Sequence, residues 1–405
     1  MSMLRRPLTQ LLGLLPLALV VLSSSNICDL LHSQTPGRVV YPGETLYTAS
    51  ESSYYPGYER ALQPSCIFRP TSTAEVSEFV HFINENANAS SSPLQFAVRG
   101  GGHTLFTGAA NINDAITVDL RAMNSLVLSD DRKTACVGGG SIFSELYPQL
   151  ERHGLTVLGG RVPDIGVGGC TTGGGLNFLS RKHGFSCDHI YGYEVVLANG
   201  SVVHATASAN RDLWLALKGG SNNFGIVTQF DLATFPQKAI AADMAVILNF
   251  ADGSFLTGNS LFYTNPVANP PEYRPFTPLP SPVLNNLGFN IVSSMVTNFG
   301  HALPSKLNWT AEIVYSFKNA NATTYRQLFR IWEDGCRALA DIEGLQVQYL
   351  VQPQPVTNGT NSLGQPAGET DRVIGLVTVS FDNAADEETA LRGLCSIVQE
   401  QMAVL

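Results

Sequence analysis

Charge is what this sequence has least of. Only 14% of its 405 residues are Asp, Glu, Lys or Arg, with 24 basic side chains against 33 acidic ones and a net charge of −9. No stretch gathers the basic residues into a face, which argues against nucleic acid and anionic membrane surfaces as partners. A bilayer-length apolar run is also missing. The apolar run at residues 11–22 (LLGLLPLALVVL) is too short to serve as a membrane anchor. Two phosphate-binding fingerprints fail as well. Gly166 and Gly168 begin a GxGxxG pattern, but Thr171 holds its third position, and no acidic ribose partner follows at the expected distance. No GK[ST] ending completes a Walker A loop. A P-loop nucleotidase and a nicotinamide-dependent dehydrogenase are thereby disfavoured.

What is present describes a well-buried globular chain, 44% hydrophobic, and long enough for two domains. Arg5 and Arg6 precede the apolar run, which contains Pro16, and small residues at Ser23 and Ser25 follow. This is the pattern of a secretory signal over residues 1–25, with cleavage near Ser25. Secretion would allow N-glycosylation at the sequons that begin at Asn88, Asn199, Asn308, Asn321 and Asn358. All seven cysteines lie beyond that point, so at least one has no intrachain partner. Cys28 and Cys66 bracket the N-terminal segment (26–60) and are expected to form a disulfide.

Residues 99–225 hold 22 of the 37 glycines. The stretch opens with RGGGH (Arg99, Gly100, Gly101, Gly102, His103) directly after an apolar strand, LQFAV. A strand running into bare backbone and then an imidazole is a way to present a ring nitrogen to a bound group. Before that strand, Ser72 and Glu75 form a capping-box pair for an amphipathic helix over residues 70–87. Residues 115–120 read as another strand, and 141–153 as a helix that Pro148 kinks or shortens. The segment GGRVPDIGVGGCTTGGG (159–175) offers side-chain-poor backbone suited to a diphosphate and a flat ring. Asn199-Gly200 marks a hairpin turn, Asn210 caps a short helix, and SNNFGIVTQFDL (221–232) is a further strand.

Taken in order, RGGGH, GRVPDIGVGGCTTGGG, SCDHI with YEVVLANGS, and DLWLALKGGSNNFGIVT resemble the FAD-linked oxidases of the vanillyl-alcohol-oxidase superfamily. The similarity is to the berberine-bridge-enzyme-like branch, particularly its secreted fungal members. It is strong from about residue 65 to 235 and looser beyond. It implies an α+β fold: a PCMH-type FAD-binding domain of two subdomains (61–236), then a substrate domain (237–405) with an antiparallel sheet covered by helices. It implies FAD bound by Arg99, Gly100, Gly101, Gly102, Gly168, Gly169, Gly173, Gly174, Gly225, Ile226 and Val227, and joined covalently to His103. Some relatives add a cysteinyl link; Val162 stands at that position, so a single histidyl bond is expected. Cys170 then reads as a small buried thiol. His183, Cys187 and His189 are spaced like metal ligands, but the resemblance places them in a block that is not a metal site, so no metal is expected.

Beyond residue 236 the apolar runs MAVILNF (244–250), LNWTAEIVYSF (307–317) and VIGLVTVSF (373–381) read as strands. Residues 325–340 and 386–401 read as helices, and the proline-rich 265–282 as a loop or lid. Tyr263, Tyr315 and Phe317 are read as core aromatics. The resemblance implies a chain that continues past the last helix with a segment returning to the flavin; the sequence as read leads to the expectation of either a truncated gene model or a short form without that FAD-closing element. Leu105 stands where some plant relatives carry an active-site tyrosine. The expected activity is oxidation of a small molecule by hydride transfer to flavin with O2 as electron acceptor, on a secondary metabolite rather than a carbohydrate. The rival is a truncated non-redox pseudoenzyme or cyclisation chaperone. The residues leave the catalytic base unassigned.

Overall fold

The computed structural model describes residues 24–87, 93–237, 243–262, 267, 270–275, 291–301 and 308–405. Asn88, Tyr263, residues 1–23 of the signal and most of the proline-rich loop lie outside these. The N-terminal segment forms α1 (Ser24–Gln34), β1 (Val39–Val40), α2 (Thr45–Ser52) and α3 (Gly57–Arg60). Next come β2 (Cys66–Phe68), α4 (Thr73–Asn86), β3 (Phe96–Arg99) and β4 (Ile116–Asp119). They build a sheet of order β1-β2-β4-β3, parallel except for β1 against β2. α4 lays Val76, Phe79 and Ile83 on this sheet, with Phe79 stacked 5.1 Å from Phe68. Ser72 accepts from Glu75 N–H, as a capping box requires. The Glu75 carboxylate instead reaches the Thr71 N–H and Arg38.

A second, antiparallel sheet follows, order β5-β6-β10-β8-β9. Its strands are β5 (Leu126–Leu128), β6 (Thr134–Gly138), β8 (Ile190–Val196), β9 (Val202–Thr206) and β10 (Ile226–Ala233). Between them lie α5 (Phe143–Glu151), β7 (Leu155–Thr156), α6 (Val167–Thr172), α7 (Ser180–His183) and α8 (Arg211–Leu217), and β11 (Phe235–Pro236) pairs with β7. Pro148 sits inside α5, shorter at both ends than the sequence pattern predicts. The Asn199-Gly200 turn joins β8 to β9 as expected, with Gly200 at φ +83°. Asn210 departs from expectation. It precedes α8 in the left-handed region and donates its amide to His204 O rather than capping the helix.

The third sheet is wholly antiparallel, order β13-β12-β15-β16-β14. It comprises β12 (Asp243–Ala251), β13 (Ser254–Phe262), β14 (Trp309–Lys318), β15 (Gln346–Pro353) and β16 (Arg372–Phe381). α10 (Ala322–Ala338) and α11 (Glu387–Val404) cover one face. Leu328, Trp332 and Cys336 of α10 and Leu394 and Ile397 of α11 pack there on Tyr315, Phe317, Val347 and Val377. α9 (Val292–His301) docks back on α5, where Glu151 accepts from the Ser293 N–H and hydroxyl. The β15–β16 connection reaches into the glycine-rich half. Thr357 Oγ1 and Asn361 Nδ2 donate to Asp188 (3.1 and 2.7 Å), and Lys218 Nζ to Thr360 Oγ1 (3.2 Å).

Candidate cofactor and active site

The RGGGH turn is held from behind by the N-terminal segment. Arg99 Nη1 donates to Ser50 O and Oγ, and Nη2 to Ser53 Oγ, each at 2.7 Å. The guanidinium lies 4.0 Å over the Tyr54 ring and 3.9 Å from Asp119, with 1% of the residue exposed. Burying this charge is tolerable because a carboxylate, oxygen acceptors and a ring face surround it. The side chain therefore braces β3 against α2, leaving any cofactor contact at this position to the backbone. Beside this brace, Asn111 Nδ2 donates to Glu51 Oε2 and Glu59 O. Burial pushes both carboxyls, Glu51 and Glu59, up to about 7.

The glycines divide into two kinds. Gly101 and Gly166 stand back to back: a Cβ on Gly101 would lie 2.4 Å from Gly166 N, and one on Gly166 equally close to Gly101 N. The two loops can meet only without side chains. Gly225 has φ +133° and approaches Val196 O, which lets β10 start beside β8; Ile226 and Val227 then pair with Val196 and Val195. Gly100, Gly168 and Gly169 differ. Cβ atoms there would meet nothing nearer than 3.7 Å, 3.4 Å and, at Gly169, nothing within 4 Å. Gly173 is exposed, and Gly174 is buried against Leu363. Of Gly100, Gly168 and Gly169 only Gly169, which is exposed, borders open space, whereas Gly100 and Gly168 lie in ordinary contact with Gly139 O; side-chain-free backbone of this kind can lie against a flat or extended ligand.

His103 follows directly. Its ring lies parallel to that of Tyr55, centroids 4.0 Å apart at 14°. Its Nδ1 is buried and has no hydrogen-bond partner among the described residues. Burial holds the imidazole down to about 4, against the opposing pull of nearby Asp164, so it is neutral at pH 7. An orphaned buried ring nitrogen at the end of a glycine turn fits the attachment of an external group.

The face of the third sheet opposite α10 and α11 supplies a second set of groups. Glu312, Thr378, Gln348 and Asn249 stand directly opposite one another across β14, β16, β15 and β12. They form one polar row, in which Thr378 Oγ1 donates to Glu312 (3.1 Å) and Gln348 Nε2 to Asn249 Oδ1 (2.9 Å). Glu312 is exposed on this face, and desolvation by the surrounding protein raises its carboxyl above the usual range against the Thr378 hydrogen bond. The Tyr55 phenol is raised by burial and then by the charge of Glu312, which links this row to the His103 side. Val314, Leu376, Leu350 and Ile247 form an apolar row alongside, with Val314 56% exposed.

Cys28 and Cys66 are joined as a disulfide. His189 Nε2 contacts His183 O at 2.6 Å, and Cys187 is a buried thiol pushed well up. No cluster of three metal-binding side chains occurs among the described residues. Cys170 carries a thiol pushed up to about 12 by burial. Tyr55 and the Glu312 row were not found from sequence. Glu312 had a signal: it is the one charged residue within TAEIVYSF. Tyr55, in an irregular stretch, had none.

Residues 64–206 match the FAD binding domain family. The chain is 32% identical over 410 residues to an FAD-dependent monooxygenase of Cercospora beticola, covering 90% of this chain and 77% of the relative. It belongs to the FAD-linked oxidoreductases. A second relative, an FAD-dependent monooxygenase of Cochliobolus heterostrophus, is 39% identical over 218 residues, 54% of this chain and 39% of its own. This oxidoreductase also shares its fold with solved members of the vanillyl-alcohol-oxidase and berberine-bridge-like group. The carbohydrate oxidase of Microdochium nivale superposes with TM-score 0.73 at 21% identity, over 94% of this chain and 88% of that one. The 6-hydroxy-D-nicotine oxidase of Arthrobacter nicotinovorans gives 0.73 at 19%, over 91% and 86%.

Proposed function

We propose that this oxidoreductase is a secreted oxidase of a small organic substrate, probed best as a fungal-type secondary metabolite, with FAD held by a single covalent bond to His103. The observation that carries the reading is the buried, unpartnered Nδ1 of His103 at the end of the Gly100–Gly102 turn. The chemistry supplied by bound FAD is acceptance of a hydride from a substrate C–H next to an alcohol or amine, with O2 taking the electrons as hydrogen peroxide. His103 holds the cofactor, and the glycine backbone lines its diphosphate and ring system. Glu312 accepts the substrate's O–H or N–H proton, and desolvation, by raising its carboxyl above the usual range, makes the carboxylate a stronger base. Thr378 orients that carboxylate, and Gln348 and Asn249 bind a polar edge of the substrate. The adjoining apolar row suits a molecule with one polar edge better than a sugar, which is polar around its rim.

Acid precipitation of the purified protein tests the cofactor. A yellow pellet with a flavin-bearing peptide at His103 is expected; a colourless pellet with unmodified His103 overturns the assignment. Rapid peroxide formation from any member of a sugar panel would overturn the metabolite preference. Because two relatives bear the name monooxygenase, isotopic O2 separates the chemistries: label in peroxide fits the oxidase, label in product does not. Secretion draws support from the Cys28–Cys66 bond and from Asn199, Asn308, Asn321 and Asn358, all exposed. Glycosidase-sensitive protein in the medium of a eukaryotic host is the expected result.

A further inference from the structure

We infer that Tyr55 is a positioning residue for His103: its ring fixes the imidazole plane and so keeps Nδ1 available to the cofactor. The inference rests on the reading of His103 as the flavin's attachment point. A histidine that follows three glycines gains no rigidity from its own backbone, and its terminal torsion is broad. A parallel ring at 4.0 Å and 14° removes that freedom. Tyr55 can act as a fixed wall because its own backbone is pinned on both sides. Its N–H donates to Gly102 O at 3.0 Å, and Arg60 Nη1 donates to the carbonyls of Tyr54 and Tyr55. Tyr54 in turn is buried, its hydroxyl bonded to Ala110 O and its face against Arg99. The turn and the wall are thus one braced unit built from segments about fifty residues apart in sequence.

Bond formation at Nδ1 exchanges one N–H and one C–H for the new C–N bond. The two protons leave to solvent, and the two electrons are taken up by the flavin and passed on to O2. Geometry limits such a reaction, because the lone pair must be aimed, and misplacement by an ångström can cost orders of magnitude.

Two variants test the role. Tyr55→Phe keeps the ring, whereas Tyr55→Leu keeps apolar bulk without it. Purified protein expressed without riboflavin is incubated with FAD, and acid-stable flavin is followed over time. His103 Hε1 is followed by NMR for the upfield shift that a stacked ring imposes. Tyr55→Phe should match the wild type in both. Tyr55→Leu should lose the shift and incorporate flavin at least about tenfold more slowly, with its circular dichroism unchanged. Restoration by Phe excludes a merely structural loss. If flavin-bearing wild type and Tyr55→Leu incorporate it at the same rate, the positioning role alone is overturned. If the wild type acquires no acid-stable flavin, the attachment reading falls and takes this inference with it. Should Tyr55→Leu fail to fold, Tyr55→Met, which also lacks the ring, replaces it with the same two expected losses, and an unshifted His103 signal in the wild type would itself overturn the stacking.

Discussion

The glycine-rich half and the third sheet present their chemistry by opposite means. In the first, the site is made of backbone: Gly101 and Gly166 touch where a side chain would collide, and Gly169 leaves a space open. In the second, it is made of side chains that share a line only because four strands are in register. Backbone sites are local in sequence and leave a compositional trace. Register sites gather residues 249, 312, 348 and 378 from across the half and leave almost none. The comparison also explains why His103 needs help from outside its loop. Bare backbone gives access but not rigidity, and that rigidity comes from Tyr55 and the Arg99 brace.

The sharpest way to break this contrast is at the register row. Glu312→Gln preserves the Thr378 contact and removes the base, so kcat should fall about a hundredfold to a thousandfold, with flavin content and melting temperature unchanged. An unaltered kcat would show that the row is not catalytic. On the backbone side, Gly101→Ala forces a Cβ to 2.4 Å from Gly166 N and should destabilise the protein by about 3 kcal/mol, read from chemical denaturation. Glu59→Gln addresses the brace behind the turn. Its fully buried carboxyl sits at about 7 when folded against an ordinary 4.5. The folded state therefore holds a proton that the unfolded state has released, and stability is lost as pH rises from 4.5 through 7. The variant should gain about 3 kcal/mol at pH 8 and almost nothing at pH 4; equal gains at both would refute the titration. The smallest effect is expected at Gly169→Ala, where the added methyl meets open space. Stability without cofactor should change by less than about 1 kcal/mol, while flavin retention falls. A Gly101→Ala as mild as Gly169→Ala would erase the distinction between packed and open glycines.

Much of the architecture was legible. Helical spacing located α4, with its capping box, α10 and α11, and apolar runs located β4, β14 and β16, because these patterns are set along each element's own length. Tyr315 and Phe317, read as core aromatics, lie in the helix-covered core. Asn210 was misread because its local pattern fits a cap, yet a hydrogen bond to His204 O across the turn competes for the side chain. Arg99 was singled out with the RGGGH turn, but nothing in its neighbours showed that its guanidinium turns away to Ser50 and Asp119.

The amino-acid order by itself determined the α+β layout, the flavin-family signature and the glycine positions, since turns, periodicity and close backbone approach are dictated over a few residues. Only the tertiary structure decided which glycines face space, that Tyr55 covers His103, and that Glu312 shares a row with Thr378, Gln348 and Asn249. Those depend on strand register and on contacts between segments distant in the chain, and no local pattern of residues encodes them.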